Sequence, residues 1–183
     1  MKNSPALDTF LKQFKPTLYR RKERIVLPGT ETENVYYITQ GFVIQTILSP
    51  SGHQFTPYIF APNNFFPLIW TNDGELSDIH EYEYESLTPV EVYRIPKRKL
   101  IAFLKENPDE ALMLNEQLTA YSAELLKKLE TRVFDNAVHM VILRLLDLVK
   151  LFGKTQAKQI FIDYWFTHHR LTPICAIPRA LLV

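Results

Sequence analysis

Cysteine is almost missing from this chain: Cys175 is the only one in 183 residues. A lone thiol excludes an internal disulfide and a cysteine-held iron–sulfur cluster within one chain, and it suits a reducing compartment. Long apolar runs are also missing, so nothing approaches the length of a membrane helix. The start, Met1-Lys2-Asn3-Ser4-Pro5, has no apolar h-region. The cytoplasm is the expected location, and no membrane partner is expected. Positive charge is absent from one whole block. From Ile25 to Tyr93 there is no Lys or Arg, while nine Asp or Glu occur, so all 21 basic residues lie outside it. The net charge of +1 gives no global field for nucleic acid.

Catalytic arrangements are lacking as well. No Ser-His-Asp arrangement and no glycine-rich phosphate loop can be assigned. The histidines stand at 53, 80, 139, 168 and 169. His53 and His80 have no close His-x-Asp/Glu partner of the kind an open two-histidine, one-carboxylate metal site requires. No enzyme, metal or cofactor is therefore expected.

What is present is a change of period along the chain. Residues 4–14 predict a short amphipathic helix with Leu7, Phe10, Leu11 and Phe14 on one face. Arg20 to Arg24 is basic and leads into Ile25-Val26-Leu27, with Pro28-Gly29 turning the chain. Strands are predicted at Val35–Ile38, Phe42–Leu48, His53–Phe60, Tyr82–Leu87 and Val90–Ile95. Turns fall at Thr39-Gln40-Gly41, Ser49–Gly52 and Ala61–Asn64. Thr71 to Ile79 is polar and acidic and predicts a loop. Short strands between closely spaced turn signals argue a sandwich or barrel.

Helical spacing takes over at Pro96, with a short helix to about Leu104. Pro108, after Asn107, opens a long one. Ala111, Leu114, Leu118, Tyr121 and Leu125 recur on one stripe, continued by Leu129 and Val133, and Leu112, Met113 and Leu126 form a second. Two stripes predict two partners: the chain's own β-domain and another helix, with Leu114, Leu118, Tyr121 and Leu125 as the homodimer contact. Phe134 to Phe152 predicts a further helix, with Gly153 as its C-cap.

The segments Tyr36-Tyr37-Ile38-Thr39-Gln40-Gly41-Phe42-Val43, Ser49-Pro50-Ser51-Gly52, Phe60-Ala61-Pro62-Asn63-Asn64-Phe65-Phe66-Pro67, Leu87-Thr88-Pro89-Val90-Glu91-Val92-Tyr93-Arg94-Ile95-Pro96 and Leu145-Leu146-Asp147-Leu148-Val149-Lys150-Leu151-Phe152-Gly153 together resemble the catabolite-activator/FNR (Crp/Fnr) family of bacterial transcription regulators. The resemblance spans roughly residues 10–183. It implies an α+β fold: an antiparallel, jelly-roll-like β-roll (a double-stranded β-helix), a long dimerisation helix, and a partial helical domain of winged-helix type. The implied domains are 1–133, with the helix at about 109–133, and 134–183. It also implies an effector-sensing roll, promoter DNA as a partner and a contact with RNA polymerase.

Family members that bind a cyclic nucleotide carry a Gly-Glu pair and an Arg-Ser pair. Here these fall on Pro67-Leu68 and His80-Glu81. A buried phosphate needs a cation or several aimed N–H donors, and this block has no Lys or Arg, with His80 able to supply charge only when protonated. A cyclic nucleotide is not expected. The pocket positions, Phe66, Pro67, Leu68, Trp70, His80, Glu81, Tyr82 and Tyr84, are mostly aromatic and apolar. They suit an apolar or cationic effector, or a filled core with no ligand.

The C-terminus reads as a helix-turn-helix. Thr167 caps a short helix, a turn lies near Ala176-Ile177, and a second helix opens at Pro178-Arg179. Thr167, His168 and Arg179 are the candidate DNA contacts. In the family this helix opens Arg-Glu-Thr-Val, with the Arg and Glu reading base edges; here Arg179-Ala180-Leu181-Leu182 keeps the Arg and loses the Glu, and Pro173 stands inside the first helix. The DNA-binding domain therefore reads as truncated and degenerate. Two functions follow: a regulator whose DNA-binding domain is incomplete, or a dimeric ligand-sensing or interaction module that no longer reads DNA.

Overall fold

The computed structural model describes residues 3–28, 33–49, 53–68, 82–156, 159–162, 164 and 167–175. The chain begins with α1 (Pro5–Leu11), whose N-cap Ser4 accepts from the Leu7 amide at 3.1 Å. This helix stops at Leu11 rather than Phe14, where the Gln13 and Phe14 amides turn to the carbonyls three residues back, of Phe10 and Leu11. Strands β1 (Pro16–Tyr19) and β2 (Arg24–Val26) follow, then β3 (Asn34–Gln40), β4 (Val43–Leu48), β5 (Gln54–Phe60), β6 (Phe65–Phe66), β7 (Tyr82–Ser86) and β8 (Val90–Pro96). They form two four-stranded antiparallel sheets, ordered β1-β8-β3-β6 and β2-β7-β4-β5. This is the expected roll.

Strand β1 was not predicted. It opens at Pro16 on the edge of its sheet, and Leu18 is exposed, so no alternating pattern marks it. Between β3 and β4 the turn needs Gly41. Its φ is +85°, and a Cβ there would lie 2.1 Å from the Pro89 carbonyl oxygen.

The roll's interior is aromatic. Tyr37, Phe60, Phe65 and Phe66 are fully buried. Helices α1 and α2 (Lys97–Glu106) close one side through Phe10 and Phe103, stacked at 4.1 Å. Burying each such ring stabilises the fold by about 1.5–3 kcal/mol. The 27-residue α3 (Pro108–Phe134) lies against the roll, with Tyr121 in the same core.

After α3 the chain breaks at Asp135-Asn136. The Asn136 side chain accepts from the His139 amide at 2.9 Å and starts α4 (Ala137–Phe152). Gly153 does follow as C-cap, but its φ of −71° is not left-handed. It opens a hairpin, β9 (Gly153–Gln156) with β10 (Gln159–Ile162), which was not predicted. Glycine is needed for space: a Cβ would meet the Val149 carbonyl oxygen at 2.3 Å. Helix α5 (His168–Cys175) is the first helix of the predicted helix-turn-helix and runs through Pro173. The Thr167 carbonyl accepts from the Arg170 and Leu171 amides. The turn and second helix expected from residue 176 onward lie outside the described residues.

Candidate functional site

Three linked regions stand out: the roll interior, the joint between α3 and α4, and the outer face of one sheet. The first and third follow from strand alternation, which sends successive side chains to opposite faces.

Strands β4 and β7 pair so that Gln45 opposes Tyr84 and Ile44 opposes Glu85. Gln45 and Tyr84 point inward, where both are buried. The Gln45 Nε2 donates to the Tyr84 hydroxyl at 3.1 Å, and the Tyr121 hydroxyl of α3 donates to Gln45 Oε1 at 3.2 Å. Burial pushes the Tyr121 hydroxyl up to about 12 and Tyr84 well above its ordinary value, so both hydroxyls stay neutral, Tyr121 as donor and Tyr84 as acceptor to the Gln45 amide. Tyr58 packs on Tyr121 at 5.1 Å, and Phe66 stacks on Tyr84 at 5.4 Å. Gln117 of α3 then holds β6 like a neighbouring strand. It accepts from the Phe65 amide at 3.0 Å and donates to the Phe65 carbonyl at 2.8 Å.

Of the predicted pocket residues, Phe66, Leu68, Tyr82 and Tyr84 belong to this one core, and Pro67 is buried beside them. Trp70, His80 and Glu81 lie outside the described residues. Gln45, Tyr58, Gln117 and Tyr121 were missed as interior residues. The available signal was Gln45, a polar residue on the inward phase of an otherwise apolar strand.

The predicted dimer contact needs correction. Tyr121 is 3% exposed, and Leu114 and Leu125 pack against the roll, so these three face the chain's own core. The cause is the Gln45 amide, which gives the Tyr121 hydroxyl a buried partner. Only Leu118 of the four is exposed. The face left open carries Leu112, Asn115, Thr119, Ser122, Leu126, Leu129 and Val133, all at alternating three- and four-residue spacing, and its four apolar members are all exposed. That spacing is a heptad seam.

At the joint, Arg144 of α4 is buried and bridges two acids, Glu124 of α3 and Asp147 of α4, both at 2.9 Å. Lys127 and Lys150 each reach Asp147 at 3.3 Å. Burial alone would raise Asp147, but these cations together hold it below the usual carboxylate range. Next to them, the Lys128 ammonium donates to the carbonyls of Thr56 and Pro57 on β5. Burial, reinforced by the Arg144 charge, lowers Lys128 to about 8. The Thr56 hydroxyl beside it is buried with no partner among the described residues. This ladder ties β5 to α3 and α3 to α4.

The opposite face of the β2-β7-β4-β5 sheet is also covered. Ile44 and Leu87 are buried together with Leu148, Phe152 and Ile174 of the C-terminal unit. Phe42 meets Phe152 at 4.6 Å. The Tyr164 hydroxyl donates to the Leu87 carbonyl at 2.9 Å, and Arg21 donates to that hydroxyl at 3.1 Å. Arg170 of α5 pairs with Glu85 of β7. Of the predicted DNA contacts, Thr167 is exposed just before α5 and His168 is its first residue, while Arg179 lies outside the described residues. No described helix is long and apolar enough to cross a membrane.

No protein-family model matches the chain. The global nitrogen regulator of Nostoc sp. (strain PCC 7120) is 26% identical over 153 residues, covering 84% of this chain and 68% of that protein. Among solved structures, the c-di-GMP-responsive global regulator CLP of Xanthomonas campestris matches with a TM-score of 0.79 at 16% identity, over 98% of this chain and 87% of that one. A Crp/Fnr-family transcriptional regulator from Thermus thermophilus matches with a TM-score of 0.67 at 20% identity, over 92% of this chain and 81% of that one. All three are named as regulators. The chain is thus similar in sequence to the global nitrogen regulators, and the solved structures share the fold expected from its β-rich block and long helix.

Proposed function

We propose that two copies of the chain pair along α3, that the roll interior senses an effector, and that the unit from residue 134 onward meets promoter DNA. The observation that carries this is the division of labour on α3. One face is tied to the roll interior through Gln117 and Tyr121, and the adjacent face is an exposed heptad seam. A helix shared in this way passes a change inside the roll to its dimer partner and, through Arg144, to α4. RNA polymerase contact belongs to the same reading.

The interior offers hydroxyls, an amide and ring faces, and the Lys128 ammonium is already held by two carbonyls. Such a lining suits a small neutral or aromatic effector rather than a phosphodiester anion. Cyclic AMP and cyclic GMP should give no heat of binding at micromolar concentration.

The DNA reading is tested by selecting duplexes from a random pool at about 0.15 M salt, where phosphate contacts alone bind weakly. Enrichment of a two-fold-symmetric site, weakened by Arg179→Ala and abolished by Leu126→Glu, is the expected result. Retention that is steep in salt and blind to sequence would remove base reading from this polypeptide.

A further inference from the structure

The sheet β2-β7-β4-β5 is covered on both faces, and one strand touches both coverings through adjacent residues. On β7, Tyr84 and Ser86 are buried toward the roll, while Glu83 and Glu85 lie on the outer face, where Glu83 pairs with Arg24 and Glu85 with Arg170. Tyr84 is hydrogen-bonded to Gln45 inside the roll, and Gln45 is bonded to α3. The neighbouring Glu85 holds α5. The β4 partners repeat the pattern: Gln45 faces in, and Ile44 packs against the C-terminal unit.

We infer that β7 is a two-faced relay: the Tyr84–Gln45 contact inside the roll sets the position of Glu85, and Glu85 sets how firmly α5 docks through Arg170. The physical basis is the stiffness of a paired strand. A shift of the β7 backbone at Tyr84 carries Glu85 with it, because a planar peptide joins the two and the strand is hydrogen-bonded to β2 and β4 on either side. The outer contact is also built to respond. The Arg170 and Glu85 side chains are 23% and 16% exposed, so solvent screens them little and a small displacement is costly. The apolar patch of Ile44, Leu87, Phe152 and Ile174 keeps the unit near the sheet, and the ion pair fixes its angle. This inference rests on the regulator reading only for its purpose, because docking of α5 is measurable without DNA or effector.

Amide hydrogen exchange on the full chain, followed on the peptide covering residues 167–175, reads the docking directly. Glu85→Gln and Arg170→Met should each speed exchange there by roughly tenfold, the effect of losing one charge-assisted hydrogen bond. The swap Glu85→Arg with Arg170→Glu should restore protection. Tyr84→Phe is the decisive variant, since it deletes one hydroxyl on the inner face and nothing near α5. It should speed exchange at 167–175 by about threefold or more, while Glu83→Gln, on the same outer face, leaves that peptide unchanged. If Tyr84→Phe alters only the roll, β7 is no relay. If Glu85→Gln and Arg170→Met both leave α5 unchanged, the docking contact itself is refuted. Neither result bears on sequence selection from random duplexes, so the relay and the DNA reading fail separately.

Discussion

Replacing Leu126 with glutamate should dissociate the dimer without unfolding the protomer. Leu126 is 66% exposed on α3, and Leu129 and Val133, on the same seam, are 60% and 62% exposed. Between Leu112 and these residues the seam positions Asn115, Thr119 and Ser122 are polar, so most of the apolar contact lies at its C-terminal end. Burying one leucine against a partner helix contributes about 1.5–3 kcal/mol. A two-fold axis doubles the loss, to about 3–6 kcal/mol per dimer, and the two carboxylates repel as well. At about 1.4 kcal/mol per tenfold, the dissociation constant should rise by roughly two to four powers of ten. Glutamate is a good helix former, so α3 itself should survive. Sedimentation velocity across a concentration series gives the constant, and far-ultraviolet circular dichroism checks the fold. Tyr121→Phe is the control, because it removes a hydroxyl that faces the roll and should leave the dimer constant unchanged. A wild-type chain that sediments as a monomer at micromolar concentration, or a Leu126→Glu chain that dimerises as tightly as wild type, would refute the seam.

Gly41→Ala should cost at least about 2–3 kcal/mol in urea denaturation, since the added Cβ meets a backbone carbonyl at 2.1 Å and φ is +85°. Arg144→Met leaves the Glu124 and Asp147 carboxylates without their shared cation and should cost about 3 kcal/mol, with Arg144→Lys recovering only part of it. Lys128 gives a pH test with a definite sign. Its value falls from 10.5 to about 8 on folding, so the unfolded chain binds more protons above that point, and wild type should gain stability relative to Lys128→Met as pH rises from about 8 to about 10. A difference that is flat over that range would show that the ammonium is solvated.

Most of the roll could be read from the sequence because its strands are bounded by turn residues with a mechanism. Gly41 must turn at positive φ, and Ser49–Gly52 and Ala61–Asn64 punctuate the strands on either side. The long helix could be read from its periodicity and from Pro108 at its first position. Strand β1 and the β9–β10 hairpin could not. Both are short, and the described side chains of β1 and of Gln159–Phe161 are largely exposed, so burial imposes no alternation on them.

The dimer face was misread for a different reason. Periodicity shows that α3 has two apolar stripes, but it does not say which neighbour takes which. A stripe containing tyrosine looks the same whether its hydroxyl meets water, a partner or a buried amide. What decides the matter is Gln45, 76 positions away in sequence, whose amide bonds both Tyr84 and Tyr121. An apolar residue there would leave both hydroxyls buried without this partner, a cost of about 1–3 kcal/mol for each unsatisfied group.

The same strand shows why the second covering of the sheet was hidden. In a half-exposed sheet the polar residue of an adjacent pair faces water and the apolar one faces the core. At Ile44-Gln45 the order is inverted: glutamine faces in and isoleucine faces out. Inversion is stable only if something dry lies outside and something polar lies inside. Leu148, Phe152 and Ile174 meet the first condition, and the tyrosine hydroxyls meet the second. Gln45→Leu separates the two. It should release Tyr121 from the roll and loosen α3, while Ile44 keeps its apolar partners. Ile44→Gln should instead free the C-terminal unit and leave the Tyr84–Tyr121 pair in place. Exchange should rise over both α3 and residues 167–175 in Gln45→Leu, the second through β7, and over residues 167–175 alone in Ile44→Gln. Identical patterns would mean that the sheet does not separate an inner, effector-facing side from an outer, docking side.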